Sequence, residues 1–600
     1  MGDQERDCVL LLDEMAIIPS YDFDTRTESV IGHCTIPGSN EKDMQDTMAT
    51  HAMVFMLCGL TTRWKQVVAY FFTGNSFSAK EVKDIIIEII QKASECNLTV
   101  YNVTMDMGGG NQAVLREFGI YCKVKRENDE LGQCNDTVEI VNTIQHPVIE
   151  GQRLTFMLDV PHVLKNIRNH LTRGQTFFIP QYAIAECNLP TNAVTINHIK
   201  KLVDYDSLHN LKIAPHLNEK CCDPGHFEKM KVSMAKNLIS RKTGAAIHFL
   251  IQEKVLPKNA TTTAWFCDQV GLWYDLMTSR SPKMGFSLYT HEKHTEVVSF
   301  LESIIKLFTQ LKIGSESNAK WRPAQTGTIL GTKTILELQN CFILEKQYKF
   351  LLTSRFTQDA LENLFSTIRF KNPIPSALEF KNALRNITVS QCISGKSTSS
   401  YETDEVSETH CFLEKSFPTS KHEESQSFSV EPSDFILDLS TSELSSLDHL
   451  GGYAVHQFIK LNGHCHECLK TLLADPPKPE MHDYIVSMQS LVQLRDNTGS
   501  SLTYISQEVK KLLLRAESIF VASEAQVMKV NSILSALVDK CLAMADSNIP
   551  DCHQAKSKIL KTYFRVRIYA LLRKKKTENM KSSSGNGSRS VAMRELVNRK

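Results

Sequence analysis

Three acidic residues far apart in the chain are of the type that holds hard divalent cations. Asp13 closes the apolar run 8–12, and Asp106 follows Val103-Thr104-Met105 just ahead of Gly108-Gly109-Gly110. Glu362 lies in the stretch Thr357-Gln358-Asp359-Ala360-Leu361-Glu362-Asn363-Leu364-Phe365. An acid at the end of one strand, a second at the end of another and a third on a late helix can gather carboxylates at one place. Without a cation such crowding pushes carboxylate pKa values up and leaves one or more protonated. Hard cations with oxygen ligands relieve that repulsion, and a pair of them cleaves and rejoins phosphodiesters. Each acid taken alone is a turn or helix N-cap residue; the metal chemistry rests on the trio.

Other residues offer binding chemistry. Asp359 stands three positions before Glu362, so both project from nearly one helix face, although an acid there also suits the helix macrodipole. Asp159-Val160-Pro161-His162 leads into a helix bearing Lys165, Asn166 and Arg168. Lys165 near that N-terminus has the charge to meet a phosphate, with a solvent-facing lysine as the alternative. No GxxxxGK[ST] and no Asn-Lys-x-Asp occurs, so nothing announces a conventional nucleotide triphosphatase. Cys465-x2-Cys468 has zinc-ligand spacing but needs two further ligands. His464, His466, Cys541, Cys552 and His553 are candidates among which the sequence does not choose, and two buried thiols on a helix is the competing interpretation.

The elements that must position these residues begin with an α/β region. The segment 9–12 predicts a short buried strand, 28–34 a second and 67–72 a third. Ser78-x-x-Glu81 is a capping box, and Val82, Ile85, Ile86, Ile89 and Ala93 recur at helical spacing behind it. A strand at 98–104 ends at Asp106, and a helix starts at Asn111. Three antiparallel strands, a helix, then a strand carrying an acid is the RNase H-like order. A strand at 156–158 and a helix at 162–171 follow, and the chain is then largely helical to about 330, too long for an ordinary connection and therefore an inserted domain. Helices are expected at 334–352 and 357–370, the second with Leu361, Leu364, Phe365 and Ile368 as its buried stripe. Segment 395–447 is dense in Ser, Thr, Glu and Asp and predicts a flexible linker. Helices at 451–473 and 502–545 come next, and 558–576 predicts a basic amphipathic helix with Tyr563, Phe564 and Tyr569.

Composition narrows the class. With 42% hydrophobic residues in 600, the chain is ordinary globular material with room for several domains. Lys plus Arg is 68 against 67 acids, so net charge selects no partner. From Lys561 to Lys600, however, 12 Lys or Arg face two Glu, a tail suited to phosphates or simply to solvent. The acidic start lacks a signal-peptide pattern, and no apolar run reaches the ~20 residues that span a bilayer. Seventeen scattered cysteines fit a reducing, intracellular compartment. Arg573-Lys574-Lys575-Lys576 is a candidate nuclear signal.

The ordered set LLLDEM at 10–15, RWKQVVAYFFTGN at 63–75, VTMDMGGGN at 103–111, DVPHVLKNIRN at 159–169, WYDLMTSR at 273–280, SRFTQDALENLFSTIR at 354–369 and GGYAVH at 451–456 resembles the P-element-type DNA transposases, including relatives with a THAP zinc module. The resemblance implies an RNase H-like (DDE transposase/integrase) core interrupted by a mostly helical GTP-binding insertion, with a helical C-terminal region. The implied boundaries are 1–125 and 331–394 for the core, 126–330 for the insertion, 395–448 for the linker and 449–600 for the C-terminal region. It implies Asp13, Asp106 and Glu362 as catalytic ligands of Mg2+ or Mn2+, and GTP as a cofactor that is not hydrolysed for energy. Asp275 would read the guanine edge, Tyr274 would stack on the base, Lys165 would meet the phosphates and Asp359 would bridge nucleotide and metal. DNA ends and target DNA are the implied partners and the nucleus the implied site of action; homo-oligomerisation is left open. The sequence departs from the family pattern in two places. Gly271 stands where an Asn would support the base, and the Gly-Gly-x-Asn loop after the catalytic helix is shortened to Arg369-Phe370-Lys371-Asn372-Pro373. Full-length relatives carry a C2CH DNA-binding module and a coiled coil before the first strand, and here Asp13 falls near the start. The expectation is therefore a truncated sequence or a domesticated remnant, the latter with a non-enzymatic DNA-binding or regulatory role as the alternative function.

Overall fold

The computed structural model describes residues 2–38, 47–128, 134–282, 286–287, 291–317, 319–370, 372–394, 439–462, 465–475, 490–495, 502–527, 532–544, 548–550 and 552–583. They group into two compact units, one of 1–203 with 216–401 and the other of 204–215 with 402–600.

The first unit is organised by a six-stranded mixed sheet in the order Lys65–Thr73, His51–Gly59, Asp7–Ala16, Thr99–Met105, Arg153–Leu158, Thr143–Gln145. The first three strands are antiparallel. Thr99–Met105 then runs parallel to Asp7–Ala16, and Arg153–Leu158 runs parallel to Thr99–Met105. This is an RNase H-like sheet. Asp7–Ala16 and His51–Gly59 sit centrally, so both faces are covered and their sequences are continuous apolar runs rather than alternations. Helix Ala79–Glu95 joins the third and fourth core strands; Ser78 caps it, and Val82, Ile86, Ile89, Ile90 and Ala93 form its buried face.

One strand differs from the sequence expectation. The second core strand is His51–Gly59, whereas 28–34 supplies only Ser29–Ile31, paired with Asp22–Asp24 outside the main sheet. The reason is local. Gly32 has φ +113°, and a Cβ there would lie 2.0 Å from the Ser20 carbonyl oxygen, so the chain folds back on itself instead of extending. Val30 accordingly stays exposed.

The insertion is mostly helical, as expected, and packs on the sheet within the same unit. Helix Pro323–Gln339 is its main support: Thr334 Oγ1 donates to the Phe156 carbonyl at 2.7 Å. A Cβ on Gly327 would come within 2.6 Å of Val163 Cγ2. The helix expected over 334–352 ends earlier, passing through a wider turn at Asn340–Glu345 into a two-residue strand, Phe350–Leu351. Helices Arg241–Gln252 and Ala260–Met277 approach closely at Gly244 and Gly271, where any Cβ would meet the opposing helix at under 3.0 Å.

The second unit is helical. Helices Thr441–Asn462, Gln507–Ser523, Ile533–Met544 and Ala555–Ser583 share a core that includes Val455, Phe458, Leu513, Phe520, Leu537 and Phe564. The expected linker is shorter than 395–448. Its last residues open helix Thr441–Asn462, because Ser440 and Glu443 form a reciprocal cap. Residues 395–438 and the tail 584–600 lie outside the described residues. The basic helix is not amphipathic in the expected way: Tyr563 and Phe564 are fully buried and only Tyr569 is exposed. Arg567 turns inward to pair with Glu517 at 2.5 Å. Among the described residues no helix is long and apolar enough to cross a membrane.

Candidate functional site

Register places the first two acids. Leu11 pairs with Thr104 across the parallel strands. Two residues further on, Asp13 and Asp106 therefore come level on neighbouring strands at the same sheet end. Asp106 is held by the Gly108 N–H at 2.8 Å and the Asn111 side-chain amide at 2.5 Å. Gly108 favours this approach, since a Cβ there would crowd Asp106 Oδ1 at 3.0 Å.

Glu362 is brought in by the start of helix Asp359–Arg369. Gln358, almost fully buried, ties that start to the sheet twice: its side chain donates to the Leu12 carbonyl and its backbone N–H to Asp159 Oδ1 at 2.8 Å. Thr104 Oγ1 donates to the Phe356 carbonyl at 2.9 Å. Three strand ends thus pin the segment 356–358, and Glu362 sits one turn beyond. The buried stripe Leu361, Leu364, Phe365 and Ile368 is as the spacing predicted.

The electrostatics show that these groups are neighbours. Burial pushes the Asp13 carboxyl up to about 7; nearby Asp106 and Asp159 add to the rise, while His162 and the Glu14 N–H oppose it. Lys165 is buried rather than solvent-facing. Desolvation lowers its pKa, and Glu362, Asp159, Asp13 and Asp106, in that order, hold its proton on. One ammonium thus feels the charge of all three predicted ligands. Asp159 acts on both Asp13 and Lys165, which its place in the sequence did not indicate. It is buried, caps helix Val160–Thr172 through the His162 N–H, and contacts His162 Nδ1 at 2.8 Å. The Asp-Val-Pro-His spelling pointed only to a helix start.

The donor set suits hard cations, being carboxylate oxygens whose mutual repulsion already raises the Asp13 pKa. Among the described residues, three or more ligand atoms all within 4.8 Å of one another occur only at Cys465, Cys468, Cys552 and His553. The strand ends that bear Asp13 and Asp106 and the helix that bears Glu362 border a common space, but their carboxylates do not form such a group.

The nucleotide candidates adjoin this space. Burial raises the Tyr274 pKa, and the charges of Asp359, Asp159 and Asp275 raise it further, so Tyr274 is within electrostatic reach of all three. Lys236 stands 5.3 Å from the Tyr274 ring centre and 3.2 Å from Asp275. Asp359 receives Arg280 at 2.6 Å. Lys236 and Arg280 were not legible as site residues, being single basic residues among many on helical and turn segments. Lys236 thus stands beside both the Tyr274 ring and Asp275, and Arg280 beside Asp359. Gly271 is fixed by packing: a Cβ would lie 2.8 Å from the Arg241 backbone nitrogen, so an Asn has no room there. In the second unit, Cys552 and His553 join Cys465 and Cys468. Cys541 is buried within its own helix, His466 is not in the group, and His464 lies outside the described residues.

Comparison with known proteins agrees with the fold. Residues 1–119 match the family model for the TNP-like RNase H N-terminal domain, and 161–287 match that for the TNP-like GTP-binding insertion domain. The chain is 22% identical over 395 residues to the transposable element P transposase of Drosophila melanogaster, covering 65% of this chain and 46% of that protein. It is 23% identical over 402 residues to the DNA transposase THAP9 of Homo sapiens, covering 64% of this chain and 41% of that one. The chain thus spans less than half the length of these curated relatives. The Drosophila P element transposase strand transfer complex shares the fold with TM-score 0.52 and 21% identity, over 65% of this chain and 78% of that one.

Proposed function

We propose, from a chain that resembles the P-element-type transposases in sequence and in fold, that it is a metal-dependent DNA phosphotransferase core. It would cut DNA at element ends and join the released 3′-hydroxyl to target DNA. The observation that carries the proposal is the setting of Lys165, whose proton is held on by the charges of Glu362, Asp13 and Asp106 although these stand between 93 and 349 positions apart in the chain. Mg2+ or Mn2+ would be held by Asp13, Asp106 and Glu362, and bound there would activate a water or 3′-hydroxyl and stabilise the leaving oxygen. Asp106 is pre-oriented for this by Gly108 and Asn111, and Gln358 holds the Glu362 helix against the strand ends. Lys165 balances the negative charge of the carboxylates and can turn its proton toward a phosphate oxygen.

GTP fits the adjoining group as a positioning cofactor. Asp275 would accept from the guanine edge, Tyr274 would pack beside the base, Lys165 would face the phosphates and Asp359 would link nucleotide and metal. The absence of room at residue 271 leaves base recognition to Asp275, which must first release Lys236. Action on chromosomal DNA implies the nucleus.

A nicking and strand-transfer assay on labelled DNA, with the chain fused to a sequence-specific DNA-binding module, tests the proposal. Cleavage should require Mg2+ or Mn2+ and vanish in Asp106→Asn. GTP but not ATP should raise the yield, and Asp275→Ala should remove that preference. Absence of cleavage by the wild-type fusion in either metal would reject the enzyme in favour of a binding or regulatory protein. Equal responses to GTP and ATP would reject guanine selectivity.

A further inference from the structure

We infer that Cys465, Cys468, Cys552 and His553 form a structural zinc site in the C-terminal helical unit. It is distinct from the carboxylate site, and neither matched domain contains it. The four ligand atoms lie within 4.8 Å of one another. Cys468 Sγ is 3.0 Å from Cys552 Sγ and 3.9 Å from His553 Nδ1, and Cys465 Sγ is 4.0 Å from Cys552 Sγ. Ligands on one tetrahedral zinc, with Zn–S about 2.3 Å and Zn–N about 2.0 Å, stand roughly 3.5–3.8 Å apart. The set is thus within a few tenths of an ångström to an ångström of closing on an ion.

The two pairs come from segments more than 80 residues apart, separated by 84 positions between Cys468 and Cys552. Cys465 precedes the first turn of helix His466–Leu472 and Cys468 lies in it, so the x2 spacing turns both thiols the same way. On the other side, His553 and Gln554 are left-handed, at φ 60° and 54°. That double turn breaks the chain ahead of helix Ala555–Ser583 and aims Cys552 and His553 at the cysteine pair. All three cysteines are free thiols. Three thiolates and one imidazole saturate tetrahedral zinc, leaving no open position for substrate. The ion would clamp the short helix 466–472 to the root of the long helix 555–583, in a unit whose core is small. Sequence spacing gave only the first half of the site, because nothing in Cys552-His553 marks it as the partner.

Full-length protein purified without chelator tests the inference by elemental analysis and zinc-edge X-ray absorption. The expected result is one zinc per chain with three sulfur ligands and one nitrogen. Cys552→Ser and His553→Ala should lose it, while Cys541→Ser and His466→Ala should keep it. The wild-type content and ligation decide the matter even if a ligand variant fails to fold. Three results would each overturn the inference. The first is a wild-type chain without zinc, and the second is zinc bound through a different ligand set. The third is a Cys468–Cys552 disulfide found in peptides mapped without reduction.

Discussion

Asp13 is the residue on which the electrostatic argument turns. Its folded pKa, about 7, lies above the ordinary carboxylate value of 3.8, chiefly through burial and then through Asp106 and Asp159. A raised acid binds its proton more tightly when folded. Its stabilising contribution is therefore complete below pH about 4 and is lost as pH rises through about 7. The metal-free protein should become less stable across that window. Binding of a divalent cation runs the other way, since the ligand must first ionise. Mn2+ affinity, read as the metal-dependent rise in melting temperature, should climb from pH 5 to about 7 and then level off. A flat profile over that range would show that Asp13 is not a ligand. Asp13, Asp106 and the glycines after it were visible in the sequence because they end apolar runs, and Glu362 through the stretch 357–365 around it. Asp159, Lys236 and Arg280 were not, since what brings them to the other candidates is contact across 199, 39 and 79 positions, which no local pattern records.

At the scale of elements, helix Asp359–Arg369 matters less for its own stability than for where it starts. Gln358 is buried and its side chain is the partner of the Leu12 carbonyl. Truncating it to Ala leaves that acceptor unpaired inside the protein, at a cost of about 1–3 kcal/mol. Gln358→Ala should lower the unfolding free energy by that amount and reduce cleavage further than Ser366→Ala, an exposed change on the same helix. Chemical denaturation alongside the nicking assay measures both, and equal activity in the two variants would remove Gln358 from the positioning role. Periodicity located this helix and its buried face correctly, as it did helix Ala79–Glu95 and strand Thr99–Met105. The strand assigned to 28–34 failed where His51–Gly59 had the stronger signal, a continuous apolar run suited to the sheet centre. The helix expected at 558–576 was real, but its aromatic and arginine residues serve a core. Arg567 between Glu517 and Asn210 shows why charge along a helix does not by itself indicate a nucleic-acid face.

For the whole molecule, the first unit assembles its site by topology. The sheet order puts the ends of Asp7–Ala16, Thr99–Met105 and Arg153–Leu158 side by side, and the chain returns to them only after the insertion. That return is why the ordered motifs in the sequence were more informative than any one of them, and why composition, nearly neutral in charge, pointed nowhere. The central claim is that Asp13, Asp106 and Glu362 hold divalent cations in common. Anomalous diffraction from crystals soaked in Mn2+ measures this directly. The account predicts manganese peaks bounded by those three carboxylates and absent from Asp106→Asn crystals; well-ordered carboxylates with no manganese between them would contradict it.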